Sequence, residues 1–143
     1  MAEIKRNAIA IWLGSGKEGH GTLNTQSGAL TDTPYSAAQR FGEEKGTNPE
    51  ELIGAAHAGC FSMALAFQLS GAGHPPKRLK TRANVSMVKE GDGWRIDAVA
   101  LQLKATMPDI DPEKFKELAE KAKANCPVSK LLNAKITLQA DLV

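Results

Sequence analysis

The chain is poor in cysteine, in aromatic side chains and in net charge, and the shortages of cysteine and of net charge each argue against a class of protein. Only two of its 143 residues are cysteine, Cys60 and Cys126, too few for the disulfide framework of a small secreted domain. Aromatic residues make up 5% of the chain, and the formal net charge is only +2. Lysines and arginines are scattered among acids instead of forming the basic stripe of a nucleic-acid-binding surface. No nucleic-acid partner is expected.

No apolar run of the secretory type follows the first residues, so the cytoplasm is the expected location. Residues 52–69 carry no charge and are just long enough to cross a bilayer. However, they include His57 and Gln68, and many other positions are Ala or Gly, which contribute little transfer energy. This segment is therefore predicted to be a buried helix of a soluble protein, and no membrane partner is expected.

The first half of the chain predicts strands followed by one long helix. Residues 4–13 and 21–25 favour strands on either side of a glycine-rich turn, and residues 36–41 are predicted as a further short strand. Asn48 is a good N-cap, with Pro49 at the first helical position and Glu51 placed to complete a capping box. The helix is expected to end near residues 70–73.

The second half predicts a hairpin, two helices and a closing strand. Residues 79–89 and 94–107 form the hairpin, Asp111 caps a helix, residues 128–132 form a short helix, and residues 136–142 alternate as a strand. The residues predicted to share the buried hairpin face are Ala83, Val85, Met87, Ile96, Ala98 and Ala100. The fold class is therefore α+β, with a single domain over residues 1–143.

The predicted central helix is apolar on every side, because Leu52, Phe61, Met63 and Phe67 do not fall on one face. The rest of the chain is predicted to offer only one modest antiparallel sheet and one small helix, which is too little to cover it. Small residues that would let another backbone approach are Gly54, Ala55, Ala58 and Gly59. A homodimer in which two such helices pack together is predicted. The alternative is a monomer whose sheet curls around the helix.

Cys60 lies in the middle of this helix, where the helix dipole gives its thiolate little help. The thiolate is the reactive form, and burial raises the pKa of a thiol. A reactive Cys60 therefore needs a cation delivered from elsewhere, and Arg40 is the candidate because guanidinium stays charged. Glu50 or Glu51 is a candidate to orient that arginine, although the sequence alone favours helix capping and stabilisation of the helix dipole as the role of both.

His57 shares a helix face with Cys60, three residues away, and is a candidate base or hydrogen-bond donor. A histidine satisfied in the core is the alternative. Zinc held by His57, Cys60, His74 and Cys126 is not expected, because the spacing fits no structural site. No metal and no cofactor are predicted.

Cys126 stands before Pro127, at a break between two helical segments. A second thiol that meets a sulfenic acid forms a disulfide and water, the resolving step of two-cysteine redox enzymes. Two inert buried thiols are the alternative, because free cysteine is among the most buried residue types.

Two stretches around these cysteines match a known family. The first, within residues 41–63, reads Glu-Lys-Gly-Thr-Asn-Pro-Glu-Glu-Leu-Ile-Gly-Ala-Ala-His-Ala-Gly-Cys-Phe-Ser-Met, and the second, residues 121–129, reads Lys-Ala-Lys-Ala-Asn-Cys-Pro-Val-Ser. Both closely resemble motifs of the osmotically inducible protein C (OsmC) family. Ser27-Gly28 and Pro34-Tyr35 also fit, so the likeness covers essentially the whole chain. It looks closer to OsmC proper than to the organic hydroperoxide resistance branch.

The resemblance implies a thiol-dependent peroxidase that prefers organic hydroperoxides and is reduced by a dithiol. It implies an OsmC-like fold, with antiparallel sheets wrapped around long buried helices in an intertwined homodimer. In this reading Cys60 is the peroxidatic cysteine, Cys126 resolves it, Arg40 activates the thiolate and Glu50 positions Arg40. The alternatives are a redox-sensing or small-ligand-binding dimer without significant turnover, and a structural dimer with inert cysteines.

Overall fold

The structure is a computed structural model that describes residues 2–143. It divides into two compact units, one ending at Leu52 and the other spanning Ile53–Val143. The single domain expected from the sequence stays a prediction. The elements in chain order are β1 (Ala8–Leu13), β2 (His20–Thr25), β3 (Thr33–Tyr35), α1 (Ala37–Phe41), α2 (Pro49–Gly71), β4 (Arg78–Glu90), β5 (Gly93–Thr106), α3 (Pro112–Asn125), α4 (Pro127–Leu131) and β6 (Lys135–Leu142).

The unit that ends at Leu52 contains an antiparallel sheet in the order β1-β2-β3. The strand predicted over residues 36–41 is wrong, since Ala37–Phe41 is the short helix α1 and the strand β3 lies just before it. The Arg40 amide donates to the Ser36 carbonyl at 3.0 Å, as a helical turn requires. Ala, Gln and Arg are strong helix formers, and here their local preference decides the structure.

Helix α2 begins as predicted, because the Asn48 Oδ1 atom accepts a hydrogen bond from the Glu51 amide at 2.8 Å. The predicted capping box is not formed by the Glu51 carboxylate, whose Oε2 atom instead accepts from the Thr47 hydroxyl at 2.9 Å. The helix ends at Gly71, close to the predicted position. Gly73, with φ +85°, then turns the chain away in the left-handed conformation that glycine adopts without strain.

Helix α2 has one buried stripe and one exposed stripe. The buried residues recur at helical spacing and are Gly54, His57, Phe61, Leu65 and Leu69. Met63 and Phe67 are 65% and 74% exposed. The helix is long and apolar enough, by length and composition alone, to cross a membrane, and Phe61, Leu65 and Leu69 of its buried stripe belong to the hydrophobic core. The location of the protein in the cytoplasm stays a prediction.

The sheet of the second unit has the order β4-β5-β6. The predicted hairpin is confirmed as β4 and β5, paired antiparallel. The closing strand β6 pairs with β5 in parallel, so this edge departs from the antiparallel sheets that were expected. A parallel neighbour requires a crossover, and α3 and α4 provide it between β5 and β6.

A β-bulge at Asp97 changes which residues of β5 face the core. Met87 pairs with Ile96 and Ser86 pairs with Ala98, so Asp97 is an extra residue with no partner on β4. Beyond the bulge the buried positions of β5 are Val99, Leu101, Leu103 and Ala105. The predicted burial of Ala98 and Ala100 on the core face is therefore wrong, because one inserted residue shifts the alternation of side chains.

Helix α3 covers the core of this unit. It is capped as predicted, since the Asp111 Oδ2 atom accepts from the Lys114 amide at 3.1 Å. Its buried residues are Phe115, Leu118, Ala119 and Ala122. They belong to the same hydrophobic cluster as Phe61 and Leu65 of α2 and the side chain of Cys126. The core thus extends to Cys126, which follows the last residue of α3 and caps the first turn of α4.

Candidate active site

The two cysteines meet across the core although 66 positions separate them in sequence. The Sγ atoms of Cys60 and Cys126 are 2.8 Å apart, within hydrogen-bond distance, and both thiols are free. Helix α2 carries Cys60, while Cys126 ends α3 and caps α4. Cys126 is fully buried, whereas Cys60 is only partly buried. Two thiols already in contact need only a short approach to form a disulfide.

The surroundings of Cys60 make it a weak acid. Burial raises the pKa of the Cys60 thiol, and the hydrogen bond and charge of Cys126 raise it further. A hydrogen bond with the Val128 backbone lowers this pKa, but the net direction remains upward. The expectation that Cys60 needs an added cation to react at neutral pH is consistent with this balance.

Arg40 and Glu50 form an ion pair within the unit that ends at Leu52. The Nε and Nη2 atoms of Arg40 donate to the same carboxylate oxygen, Glu50 Oε1, at 3.0 and 2.7 Å. Arg40 comes from α1 and Glu50 from the first turn of α2. The Arg40 side chain is 41% exposed and that of Glu50 is 12% exposed. Of the two candidate carboxylates, Glu50 holds the arginine, and Glu51 bonds to Thr47.

A second polar contact lies beside the cysteine pair. The His57 Nε2 atom and the Ser129 Oγ atom are 2.8 Å apart. His57 is fully buried, and burial lowers its pKa, which favours the neutral imidazole. Sequence reasoning named His57 but missed Ser129. The available signal was the mirrored spacing, since His57 precedes Cys60 by three residues and Ser129 follows Cys126 by three.

The apolar residues named with Cys60 have different environments, because Phe61 is fully buried and Met63 and Phe67 are exposed. Within residues 2–143, no three His, Cys, Asp or Glu side chains are arranged to hold a metal ion. The site in the second unit is therefore a thiol pair with a backbone donor and a histidine–serine contact.

The family follows from sequence comparison. Residues 42–141 match the family described as OsmC-like protein. The chain belongs to the OsmC-like protein family. It is 49% identical to peroxiredoxin OsmC of Escherichia coli (strain K12) over 139 residues, 97% of each chain. It is 30% identical over 129 residues to the organic hydroperoxide resistance protein OhrB of Bacillus subtilis (strain 168), covering 89% of this chain and 90% of that one.

Solved structures of OsmC-like proteins have the same fold. An OsmC-like protein from Mycoplasma pneumoniae aligns with a TM-score of 0.78 at 16% identity, covering 99% of each chain. At that identity the likeness concerns the fold alone. The α+β class and the OsmC-like architecture predicted from the sequence are thus confirmed.

Proposed function

We propose that this chain reduces organic hydroperoxides to alcohols, and hydrogen peroxide more weakly, through a Cys60 sulfenic acid and a Cys60–Cys126 disulfide that a dithiol reduces. The peroxidase class rests on family membership and on 49% identity to a peroxiredoxin over 97% of the chain. The preference for organic hydroperoxides is supported by similarity to a protein named for resistance to them.

The observation that carries the proposal is the contact between the Cys60 and Cys126 sulfur atoms at 2.8 Å. Inert core thiols have no need to meet, whereas a peroxidatic and a resolving cysteine must. The partly exposed Cys60 suits the role of the thiol that meets peroxide, and the buried Cys126 suits the resolving role.

In the first step, the Cys60 thiolate attacks the outer oxygen of the hydroperoxide and the O–O bond breaks. Cys60 becomes a sulfenic acid, and the departing alkoxide takes a proton to become the alcohol. The Cys126 sulfur then attacks the Cys60 sulfur, the S–O bond breaks, and the hydroxyl leaves as water. An external dithiol reduces the disulfide by exchange, becomes oxidised itself and returns both thiols.

Arg40 and Glu50 have the electrostatic roles in this proposal. Arg40 stabilises the Cys60 thiolate and the negative charge that develops on the leaving oxygen. Glu50 fixes the guanidinium through the two charge-assisted hydrogen bonds to its Oε1 atom. The upward shift of the Cys60 pKa is the reason that such a cation is needed.

The proposed enzyme is a homodimer. The exposed stripe of α2 contains the large apolar residues Met63 and Phe67. Apart from its neighbours and its own helix backbone, a Cβ atom built at Gly59 meets no atom of the described chain within 4 Å, so a second backbone has room to approach there. Strand β1 separately exposes Ile9, Ile11 and Leu13. Apolar surfaces of this kind mark places where soluble proteins associate.

Intact mass and thiol counting, before and after one equivalent of cumene hydroperoxide, test the proposal. We expect the loss of two thiols, with peptide mapping that joins Cys60 to Cys126. Cys126→Ser is expected to stop at the sulfenic acid, and Cys60→Ser to consume no peroxide. Two thiols left free and unmodified would overturn the proposal. Repeated turnover with a dithiol separates an enzyme from a redox sensor, which needs a single oxidation only.

A further inference from the structure

Two contacts of equal length join the same two segments of the chain. The sulfur atoms of Cys60 and Cys126 are 2.8 Å apart, and so are the His57 Nε2 and Ser129 Oγ atoms. On α2, His57 lies one helical turn before Cys60, and in the other segment Ser129 lies one turn after Cys126. The histidine–serine contact therefore holds α4 against α2 beside the reacting sulfurs.

His57 is an unusual occupant of its position. Its side chain is fully buried in the stripe that also contains Phe61 and Leu65. A buried polar group costs stability unless it is hydrogen-bonded. Its Nε2 atom meets Ser129, while its Nδ1 atom has no hydrogen-bond partner among residues 2–143. An apolar side chain would fill this position at lower cost, so the imidazole is best explained by the contact it makes.

Besides the contacts of Cys126 and the hydrogen bond between the Val128 backbone and Cys60, helix α4 has few anchors. It is five residues long and none of its residues is fully buried. Val128 and Leu132 are only partly buried against the core, and Leu131 is 79% exposed. Its first residue, Pro127, has no amide hydrogen to donate. The contact with His57 is the one side-chain hydrogen bond that the described residues give to the body of α4, and it adds to the Val128–Cys60 bond and the buried Cys126.

We propose that His57 and Ser129 are positioning residues that keep Cys126 against Cys60 while Cys60 is a sulfenic acid, and so direct that intermediate to the disulfide instead of to sulfinic acid. This inference rests on the proposed peroxidase function. The oxygen atom of the sulfenic acid needs space where the two sulfur atoms now touch. The segment around Cys126 must therefore move slightly when Cys60 is oxidised. The His57–Ser129 hydrogen bond keeps this segment near enough for Cys126 to attack the Cys60 sulfur and displace the hydroxyl as water.

The test separates the two steps in three variants. Ser129→Ala removes the hydroxyl, Ser129→Thr keeps it, and Lys130→Ala changes an exposed neighbour on α4. Rapid quenching with cumene hydroperoxide measures Cys60 oxidation and disulfide formation, and intact mass measures the sulfinic fraction at excess peroxide. We expect Ser129→Ala to slow disulfide formation about tenfold, the value of one hydrogen bond, and to raise the sulfinic fraction. The peroxide step should be unaffected, and Ser129→Thr and Lys130→Ala should match the parent.

A second measurement does not depend on peroxide. Equilibration with a dithiol redox buffer gives the effective concentration of the two thiols for each other, and we expect it to fall about tenfold in Ser129→Ala and in His57→Leu, which both lack the hydrogen bond. If the partition between disulfide and sulfinic acid and the effective concentration are both unchanged in these variants, the positioning role of His57 and Ser129 is wrong. A parent protein that forms the disulfide in redox buffer but ignores peroxide would instead overturn the proposed function alone.

Discussion

Arg40 directs two of its nitrogen atoms to a single oxygen of Glu50, at 3.0 and 2.7 Å, and leaves the other carboxylate oxygen aside. That second atom, Oε2, is buried and has no hydrogen-bond partner among the described residues. Such a side-on pairing leaves the Oε2 acceptor free and fixes the guanidinium by one edge.

This pairing predicts unequal effects for two adjacent glutamates. Glu50→Gln replaces charge-assisted bonds by neutral ones and should slow Cys60 oxidation by cumene hydroperoxide about tenfold. Glu51→Gln is the matched control, since Glu51 bonds to Thr47 and should leave the rate near that of the parent. Stopped-flow measurement of Cys60 oxidation decides the matter. Equal rates in all three proteins would remove Glu50 from the mechanism.

Cys126 is expected to raise the pKa of the Cys60 thiol. Its hydrogen bond and its charge both raise that pKa, in addition to burial, so Cys126→Ala should lower it. Alkylation of Cys60 by iodoacetamide at a series of pH values gives the pKa directly. A Cys60 pKa that stays unchanged or rises in Cys126→Ala would contradict the prediction. Since the folded pKa lies above the unfolded one, the Cys60 thiol stabilises the fold below its unfolded pKa. That contribution is lost as the pH rises through the folded value.

His57 predicts the opposite pH dependence. Burial lowers its pKa in the folded state, so its contribution to stability is present above its unfolded pKa and is lost as the pH falls through the folded value. Urea unfolding at about pH 7 and about pH 5 should show a smaller acid loss in His57→Gln than in the parent. The variant His20→Gln, at an exposed position, serves as the control. Identical acid losses in all three proteins would show that His57 does not contribute.

The disulfide is expected to stabilise the fold. Cys60 and Cys126 are 66 positions apart, and closing a loop of that size restricts the unfolded chain. The chain-entropy account gives roughly 4 kcal/mol in the free energy of unfolding. Guanidinium unfolding of the oxidised and reduced protein measures the difference, and Cys60→Ser put through the same oxidation should show none. An oxidised form no more stable than the reduced form would mean that native strain offsets the entropic gain.

The exposed stripe of α2 predicts which substitution dissociates the proposed homodimer. Met63→Asp places a charge at a position that is 65% exposed in one chain but buried in the proposed dimer. Burying an unpaired carboxylate costs about 4 kcal/mol, so the dimer should dissociate about a thousandfold more readily. Lys121→Asp, on the exposed face of α3, should remain dimeric. Analytical ultracentrifugation measures the oligomeric state of both variants and of the parent. A parent protein that is monomeric would contradict the proposed homodimer.

Local signals in the sequence predicted most of the fold. The caps at Asn48 and Asp111 and the turn between β4 and β5 depend on neighbouring residues only, and all three are found. The bulge at Asp97 and the parallel pairing of β6 depend on contacts between distant segments, which alternation does not encode. Helix α1 was misread because a short apolar run suits either a strand or a helical turn.

The site was predictable to the extent that residue type indicates chemistry. Cysteine, arginine and glutamate drew attention as reactive or charged groups, and the structure pairs Cys60 with Cys126 and Arg40 with Glu50. Ser129 carried no such signal, since serine is common on surfaces and at helix ends. Its importance comes from meeting His57, a contact across 72 positions that only the folded chain reveals.

The unequal burial of the two cysteines has a consequence for the order of events in the catalytic cycle. In the proposed Cys60–Cys126 disulfide the Cys126 sulfur is fully enclosed, so we expect an incoming dithiol to attack at the Cys60 sulfur, with the mixed disulfide on Cys60 and Cys126 as the leaving group. The peroxide and the dithiol then both react at the Cys60 sulfur and reach it by the same route, one after the other. We expect ping-pong kinetics in which each substrate, at high concentration, obstructs the other.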